Sequence, residues 1–444
     1  MKNLLPTFDL LKSKLRVIYQ LSQEALPHIK RFIIQQPKTF LSLALINFIL
    51  MTNVTRVGVL PFKTQEASLV PLTIITQKND SKEVFGFAPY WTLKKTDNID
   101  FSTLTTLAYF DAEILSNGEI DQDGNGYQAF HSKKATELFT KAHDNGTRVV
   151  LTITQMQRNQ ILAFLDNPEA QTKAINLVVD EVQNRGIDGI NIDFEMNGDP
   201  GAAYREKFTH FVANLTTEMH IQNPNSQVTV SVYAASAKQP KLYDIGGLAQ
   251  ASDGIFMMAY DFANASAAEA WPTAPLYGAK EGKYWYDIST AVDDFLAQMP
   301  AEKLILGVPW YGYNYVVSSP EVKAATYRYS TVTQPYTLAQ DTIYPDMPNI
   351  DGYQEGWDES GQVGWKAYFV PQLGAWRMIF IEDSRSLGIK YDFAKDKGLG
   401  GVGIWALGFD EGKSDMWVLL REKFGQKLAD ASLKDKAILG GYYD

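Results

Sequence analysis

Asp193 and Glu195 are the two residues whose types and spacing point most clearly to chemistry, within the run DGINIDFE at 188–195. In a strand, alternate side chains share a face, so Asn191, Asp193 and Glu195 would point the same way. Polar groups on one face of a buried strand are costly unless they serve a function. Two carboxyl groups this close raise each other's proton affinity, which keeps one protonated near neutral pH. The pattern therefore predicts a general acid, although an acidic pair that only caps the following helix remains the alternative.

The elements that must position this pair form a regular alternation of strands and helices. Short runs rich in β-branched or aromatic residues recur at 84–90, 104–110, 148–154, 188–195, 227–234, 254–261, 303–310 and 401–408. Most are separated by stretches with helical spacing of apolar residues. Eight such units predict an α/β fold, a (β/α)8 TIM barrel whose catalytic groups stand at the carboxyl ends of the strands. The gap between the seventh and eighth runs is too long for one helix, and we expect a small β-rich insertion there, at about 315–380.

Further motifs follow in chain order: MAYD at 258–261, GVPWYG at 307–312 and Trp405. Together with 188–195 they resemble the signatures of glycoside hydrolase family 18, the chitinase-like glycosidases, over about residues 83–424. Two features depart from the typical pattern, since Asn191 replaces the second Asp of DxxDxDxE and strand three lacks SxGG. In both features the chain resembles a bacterial N-acetylglucosaminidase subgroup that acts on peptidoglycan or spore cortex.

The resemblance implies a retaining mechanism in which the 2-acetamido group of the substrate attacks the sugar and forms an oxazolinium intermediate. Glu195 would protonate the glycosidic oxygen, Asp193 would orient the acetamido N–H, and Tyr260 would hold the acetamido oxygen. The other expected site residues are Asn191 and Asp188 in the catalytic motif, and Trp405, Asp261, Met258, Trp310 and Tyr90 in substrate binding.

The expected partner is a polysaccharide or oligosaccharide that contains N-acetylglucosamine, either peptidoglycan or a chitin-like chain. A catalytically weak or inactive barrel that binds glycans as a lectin is the alternative, and retention of both Asp193 and Glu195 favours the enzyme. Trp91, Trp271 and Trp365, like Trp310, are candidate sugar platforms, but ordinary packing explains each of them equally well.

Composition excludes several classes of site. The chain has no cysteine, and its five histidines show no metal-ligand spacing. The run DQDGNG at 121–126 is similar to half of a calcium loop, but Ser132 occupies the position of the bidentate Glu. A hairpin turn explains the same residues. We therefore predict no metal and no cofactor, and the net charge of −10 argues against nucleic acid. A monomer is expected.

The amino terminus differs from the rest in charge. Residues 1–38 carry seven Lys/Arg and two Asp/Glu, and the apolar stretch 39–61 follows. Because basic residues collect on the cytoplasmic side, we predict a basic cytoplasmic segment and an uncleaved single-pass transmembrane helix in the cell membrane. A linker (62–82), the extracytoplasmic barrel (83–424) and a tail (425–444) would follow. A buried helix of a soluble domain is the alternative for 39–61.

Overall fold

The structure, a computed structural model, describes residues 82–327, 330–339, 349–350 and 352–425. Its strands are β1 (Glu83–Pro89), β2 (Thr106–Glu113), β3 (Arg148–Gln155), β4 (Gly189–Phe194), β5 (Gln227–Tyr233), β6 (Gly254–Met258), β7 (Leu304–Pro309), β8 (Tyr311–Val317), β9 (Val332–Pro335), β10 (Gln354–Asp358), β11 (Val363–Val370), β12 (Ala375–Ile381) and β13 (Gly401–Trp405). Strands β1 to β7 and β13 close into a parallel barrel in the order β1-β13-β7-β6-β5-β4-β3-β2. The predicted (β/α)8 barrel is confirmed.

The α-helices of the described residues are α1 (Asn125–Phe130), α2 (Lys133–Asp144), α3 (Arg158–Leu165), α4 (Pro168–Arg185), α5 (Ala202–Gln222), α6 (Ile245–Ala251), α7 (Ile288–Leu296), α8 (Tyr336–Leu338), α9 (Ser384–Asp396) and α10 (Asp415–Phe424). Local signals fix several ends. The Asn167 side chain caps α4 by accepting from the Ala170 N–H, and Gly186 ends that helix in the left-handed region at φ 62°. None of these helices is long and apolar enough to cross a membrane.

Strand β4 shows how alternation divides the barrel. Ile190, Ile192 and Phe194 are buried in the main core between the strands and the surrounding helices. Asn191 and Asp193 point the other way, toward the barrel interior, where Asn191 reaches side chains of β5. The barrel interior has an apolar side and a polar side. The apolar side is filled by a cluster of Phe85, Phe87, Ala108, Phe110, Val150, Phe256, Met258 and Ile305. The polar residues of β3, β4 and β5 occupy the other side.

The insertion between β7 and β13 is a five-stranded antiparallel sheet in the order β10-β11-β12-β8-β9. It runs from Tyr311 to Ile381, and its first strand begins only two residues after β7 ends. The expected start at 315 was therefore four residues late. A separate core that includes Tyr313, Met378 and Phe380 holds the sheet together.

Several predicted segments lie outside the described residues. These are the basic segment 1–38, the anchor 39–61, the linker up to residue 81, and the tail from residue 426.

Candidate active site

A cleft of about 600 Å³ opens where the carboxyl ends of the barrel strands meet. That volume suits a ligand of a few sugar-sized units. Its lining is Phe87, Trp91, Phe110, Asp193, Glu195, Asn197, Ser231, Tyr233, Ala234, Ala235, Gln239, Lys241, Met258, Tyr260, Asp261, Phe262, Asn264, Trp285, Tyr311 and Trp405. The structure thus brings together six of the predicted site residues: Asp193, Glu195, Met258, Tyr260, Asp261 and Trp405.

The two carboxyl groups of β4 sit at different depths. Glu195 follows the strand directly, its N–H donates to Gln155 O at 3.0 Å, and its side chain is half-buried. Asp193 is only 4% exposed, and its Oδ1 has no hydrogen-bond partner in the described part of the chain. Across the barrel interior, Asp111 of β2 accepts a hydrogen bond of 2.6 Å from the Thr154 hydroxyl. Asp193 is therefore shielded from water and lies near two further carboxyl groups, those of Glu195 and Asp111.

Burial is the main reason why the pKa values of Asp193 and Glu195 are raised. It raises the pKa of Asp193 well above its ordinary value, and the negative charges of Glu195 and Asp111 raise it further. Burial also raises the pKa of Glu195, and Asp261 adds to this effect, whereas the Tyr233 hydroxyl and Lys241 oppose it. A glutamic acid with a raised pKa holds its proton closer to neutral pH, as a general acid requires.

Tyr233 and Lys241 are two cleft residues that sequence reasoning did not find. Tyr233 ends β5 and hydrogen-bonds Glu195. The ammonium of Lys241 lies 3.9 Å from the centroid of the Tyr233 ring, a cation–π contact. Polar alternation offered a signal for Tyr233, because Thr229, Ser231 and Tyr233 share one face of β5. Lys241 lies in a loop, where no periodicity applies.

Asp261 is held in place by hydrogen bonds with a loop residue and with two residues of β8. Its backbone adopts φ 58°, and its N–H donates to Thr273 Oγ1 at 3.0 Å. Its Oδ1 accepts hydrogen bonds from the hydroxyls of Tyr311 at 2.5 Å and Tyr313 at 2.9 Å. Both tyrosines belong to β8, so the insertion orients a carboxylate of the cleft.

Trp405 ends β13 and forms an aromatic wall of the cleft. Its ring centroid lies 5.5 Å from that of Phe87, 5.0 Å from Phe110 and 6.5 Å from Trp91. Trp91 is 50% exposed and also lines the cleft, so it can present a ring face to a sugar. Tyr260 is partly buried and packs against both the barrel interior and the insertion.

Asn191 lies inside the barrel beneath the cleft and is fully buried. Its Nδ2 donates to Thr229 Oγ1 at 2.9 Å, and its Oδ1 accepts from Ser231 Oγ at 3.0 Å. The neutral amide thus satisfies two hydroxyls of β5 without adding a charge beside Asp193.

The structure does not bring Asp188 to the cleft, so its expected catalytic role is corrected. Asp188 precedes β4 at the amino-terminal end of the barrel, where its Oδ2 accepts from the Val149 N–H and contacts His143 Nε2, each at 2.7 Å. Asp253 makes the same pair of contacts before β6, with the Val228 N–H and His220. The repeated arrangement joins a strand end to the neighbouring strand and a helix, which is a structural role.

Trp310 and Tyr90 are also corrected. Trp310 is fully buried and packs edge-on against Trp417 at 5.3 Å, so no sugar can reach its ring. Tyr90 is absent from the cleft lining and instead packs edge-on against Trp91. Both residues continue the outer face of the strand that they follow, which packs against the main core and not against the cleft.

The two remaining tryptophan candidates do not line the cleft either. Trp271 is 8% exposed and stacks on Tyr284 with 4.8 Å between ring centroids. Trp365 lies on β11 of the insertion, where its ring contacts the insertion core. At the calcium-like run, the Asp121 carboxylate accepts from the Asp123 N–H at 3.2 Å, an Asx turn. In the described ranges, no group of three or more His, Asp or Glu side chains could hold a metal.

Comparison with known sequences identifies the family. The profile described as Glycosyl hydrolases family 18 matches residues 83–410, which is most of the chain. The chain belongs to this family. The resemblance predicted from the motifs is confirmed, and this family 18 protein is a glycoside hydrolase.

Family 18 relatives of this chain include bacterial and animal proteins. YdhD of Bacillus subtilis (strain 168), provisionally named a sporulation-specific glycosylase, is 28% identical over 324 residues, which cover 71% of this chain and 68% of YdhD. The di-N-acetylchitobiase of Rattus norvegicus is 27% identical over 290 residues, covering 62% of this chain and 74% of the relative.

Solved structures with the same fold include a family 18 chitinase from Cycas revoluta in complex with (GlcNAc)3. It has a TM-score of 0.64 and 19% identity, and the match covers 78% of this chain and 99% of that one. The spore cortex-lytic enzyme SleL of Bacillus cereus has a TM-score of 0.60 and 19% identity. The match covers 78% of this chain and 74% of SleL.

Proposed function

We propose that this family 18 enzyme hydrolyses β-linked glycans that contain N-acetylglucosamine, with retention of configuration and with the substrate's acetamido group as nucleophile. The observation that carries the proposal is the pair of a buried Asp193 and a half-buried Glu195 at the carboxyl end of β4, in one cleft with Tyr260 and Trp405. No protein carboxylate is required as nucleophile in this scheme.

In the first step, Glu195 gives its proton to the glycosidic oxygen as the bond from that oxygen to C1 breaks. The acetamido oxygen forms the new bond to C1 and closes an oxazolinium ring. In the second step, the Glu195 carboxylate takes a proton from water while the water oxygen attacks C1 and reopens the ring. The enzyme regains its proton, and two inversions at C1 give net retention.

Asp193 and Tyr260 would hold the acetamido group at attack distance. The unpartnered Oδ1 of Asp193 is a buried acceptor, and the acetamido N–H is a donor that would satisfy it. The other oxygen of Asp193 can keep its proton, because its raised pKa favours the neutral form. The Tyr260 hydroxyl would donate to the acetamido oxygen. Correct placement of an intramolecular nucleophile can contribute several kcal/mol, about 7–11 in favourable cases.

Both a chitin-like chain and peptidoglycan are consistent with the relatives. The rat protein is named for chitobiose, the Cycas structure contains (GlcNAc)3, and SleL is described as cortex-lytic. An anchor at 39–61 would hold the barrel outside the cell membrane, next to the cell wall. We therefore favour peptidoglycan as the substrate of a single-pass membrane enzyme with a cytoplasmic amino terminus.

The test is incubation of the full chain with chitooligosaccharides and with purified peptidoglycan, followed by mass analysis of the products. Glu195→Gln should lower turnover by about 10²–10⁴, because glutamine keeps the shape but cannot deliver a proton. Glu137→Gln, on the exposed face of α2, is the matched control and should retain wild-type turnover.

Two outcomes would contradict the proposal. Binding of glycans without any cleavage by the wild-type chain would support the lectin-like alternative. Equal rates for a substrate with a 2-hydroxyl in place of the acetamido group would refute substrate assistance, even if Glu195 were essential.

A further inference from the structure

We propose that Lys241 is a specificity residue that binds a carboxylate on the leaving-group sugar, so that the cleft selects glycans with an acidic sugar next to the cleaved bond. The inference rests on the proposed function and narrows its substrate class. The acidic sugar that fits is one with a free carboxylate on an O3 ether, as in the 3-O-lactyl group of peptidoglycan strands freed of their stem peptides, since in intact peptidoglycan that carboxyl is part of an amide bond.

Lys241 is the one Lys or Arg among the described residues that line the cleft. It stands among three acidic side chains of the same lining, Asp193, Glu195 and Asp261. No ion pair joins Lys241 to a carboxylate within the described ranges, and its ammonium instead lies over the face of the Tyr233 ring. Its charge interacts with that of Glu195 without a direct ion pair, so a ligand carboxylate can still take the ammonium as its hydrogen-bond partner.

The backbone around Lys241 is held in a costly conformation. Its φ of 47° lies in the left-handed region, which is unfavourable for a residue with a Cβ. Arg205 Nη1 donates to Lys241 O at 3.1 Å and to Asp199 Oδ1 at 2.6 Å. Strained residues that their surroundings hold in place occur preferentially at binding sites.

The same loop is fastened to the catalytic strand. The Tyr243 hydroxyl donates to Phe194 O at 2.8 Å, and Phe194 is the residue before Glu195. Tyr233 contacts both Glu195 and Lys241. The loop that carries Lys241 is therefore held against the strand that carries the catalytic acid, as recognition of a group close to the cleaved bond requires.

From barrel topology we infer that Lys241 lies on the leaving-group side. Trp405, the expected floor for the reacting sugar, ends β13, and β4 is the fourth strand from β13 in either direction around the barrel. Glu195 thus stands opposite Trp405, between the reacting sugar and its leaving group. Lys241 follows β5, the neighbour of β4, so it lies beside the acid and away from Trp405.

The chemistry of the leaving group completes the argument. In a β-1,4-linked glycan, the oxygen that Glu195 protonates is O4 of the leaving sugar, and O3 is on the adjacent carbon. Where no peptide is attached, a lactyl ether on O3 holds its carboxylate close to the cleaved bond, within reach of a lysine next to the acid. In a chitin-like chain O3 carries only a hydroxyl, and the ammonium would have no anion to bind.

The experiment compares three substrates with the purified full chain: glycan strands of peptidoglycan freed of peptide, the same strands with the lactyl carboxylates converted to methylamides, and chitooligosaccharides. For the wild type, amidation should lower kcat/KM by about 10- to 100-fold, the loss expected for one charge-assisted hydrogen bond. Lys241→Met should cleave the acid and amide strands at equal rates, and Lys241→Arg should retain part of the preference. Lys238→Met, an exposed lysine outside the cleft lining, is the control for net charge and should keep the full preference.

Calorimetric binding to Glu195→Gln separates failure of this inference from failure of the proposed function. A GlcNAc–MurNAc disaccharide should bind about tenfold or more tightly than its methylamide, and Lys241→Met added to Glu195→Gln should abolish the difference. If the wild type cleaves none of the glycans but this binding difference holds, the proposed function fails and the inference stands. If Lys241→Met keeps the preference for the acid, or if the wild type shows none in cleavage and in binding, the inference is overturned.

Discussion

Replacing Tyr233 with Phe tests whether the hydroxyl of that residue tunes the catalytic acid. The hydrogen bond from Tyr233 lowers the pKa of Glu195 by favouring its charged form. Phenylalanine keeps the ring that packs against Tyr243 and lies beneath Lys241, so the change removes only the hydroxyl. The pKa of Glu195 should therefore rise in the variant.

The size of the shift follows from the strength of the lost bond. A hydrogen bond to a charged group contributes about 1.5–3 kcal/mol, and 1.36 kcal/mol corresponds to one pKa unit. Glu195 is half-buried, so solvent screens part of this interaction, and we expect a shift of about one unit. Because Glu195 acts as an acid, activity is lost as pH rises through its pKa. The alkaline limb of the profile should move to higher pH by about one unit.

The assay is the pH dependence of kcat/KM on a chromogenic chitooligosaccharide, since this ratio reports the free enzyme. Tyr127→Phe is the matched control, because the Tyr127 hydroxyl donates to Glu181 at 3.0 Å and neither residue lines the cleft. Its profile should equal that of the wild type. An alkaline limb that stays in place or moves to lower pH in Tyr233→Phe would refute the assignment of Glu195 as the titrating acid.

Other predictions follow from the same geometry. Asn191→Asp adds a second carboxylate on the same face of β4 as Asp193, two residues away, so the pH profile of kcat/KM should move to higher pH. An unchanged profile would show that residue 191 does not interact with Asp193 and Glu195. Asp188→Ala leaves a main-chain N–H without its acceptor and should lower the free energy of urea unfolding by about 1–2 kcal/mol. Its kcat/KM should stay at the wild-type value. Asp253→Ala should behave in the same way, and loss of activity in the folded Asp188 variant would restore a catalytic role. Deletion of residues 1–61 should give a folded, soluble barrel, whereas the full chain should sediment with membranes; a soluble full chain would contradict the anchor.

The barrel was predictable because its strands are buried on both faces and therefore appear as continuous apolar runs. The side chains of β4 were predictable for a different reason, since alternation alone puts Asp193 on the inner face. It was harder to predict at which end of the strand each motif residue lies. Asp188 and Glu195 belong to one motif, but seven residues of extended chain separate them by about 23 Å.

The errors at Trp310 and Tyr90 have a common physical origin. Each residue follows a barrel strand and continues the outer face of that strand, so alternation itself directs both side chains toward the main core. Lys241 was missed for a different reason, because its position depends on a left-handed backbone and on a contact with Arg205, which is distant in sequence. Residues in loops are positioned by such tertiary contacts rather than by local pattern.

The link between β8 and Asp261 bears on how this enzyme could be redesigned or could diverge. Tyr311 and Tyr313 begin the inserted sheet and also hold the cleft carboxylate by its Oδ1. A shorter or foreign insertion spliced in after β7 would therefore change the rotamer of Asp261 as well as the depth of the cleft. Chimeras between homologues should keep 311–313 with the barrel and exchange only the strands that follow. Variation in cleft length and variation in chemistry would then become separable.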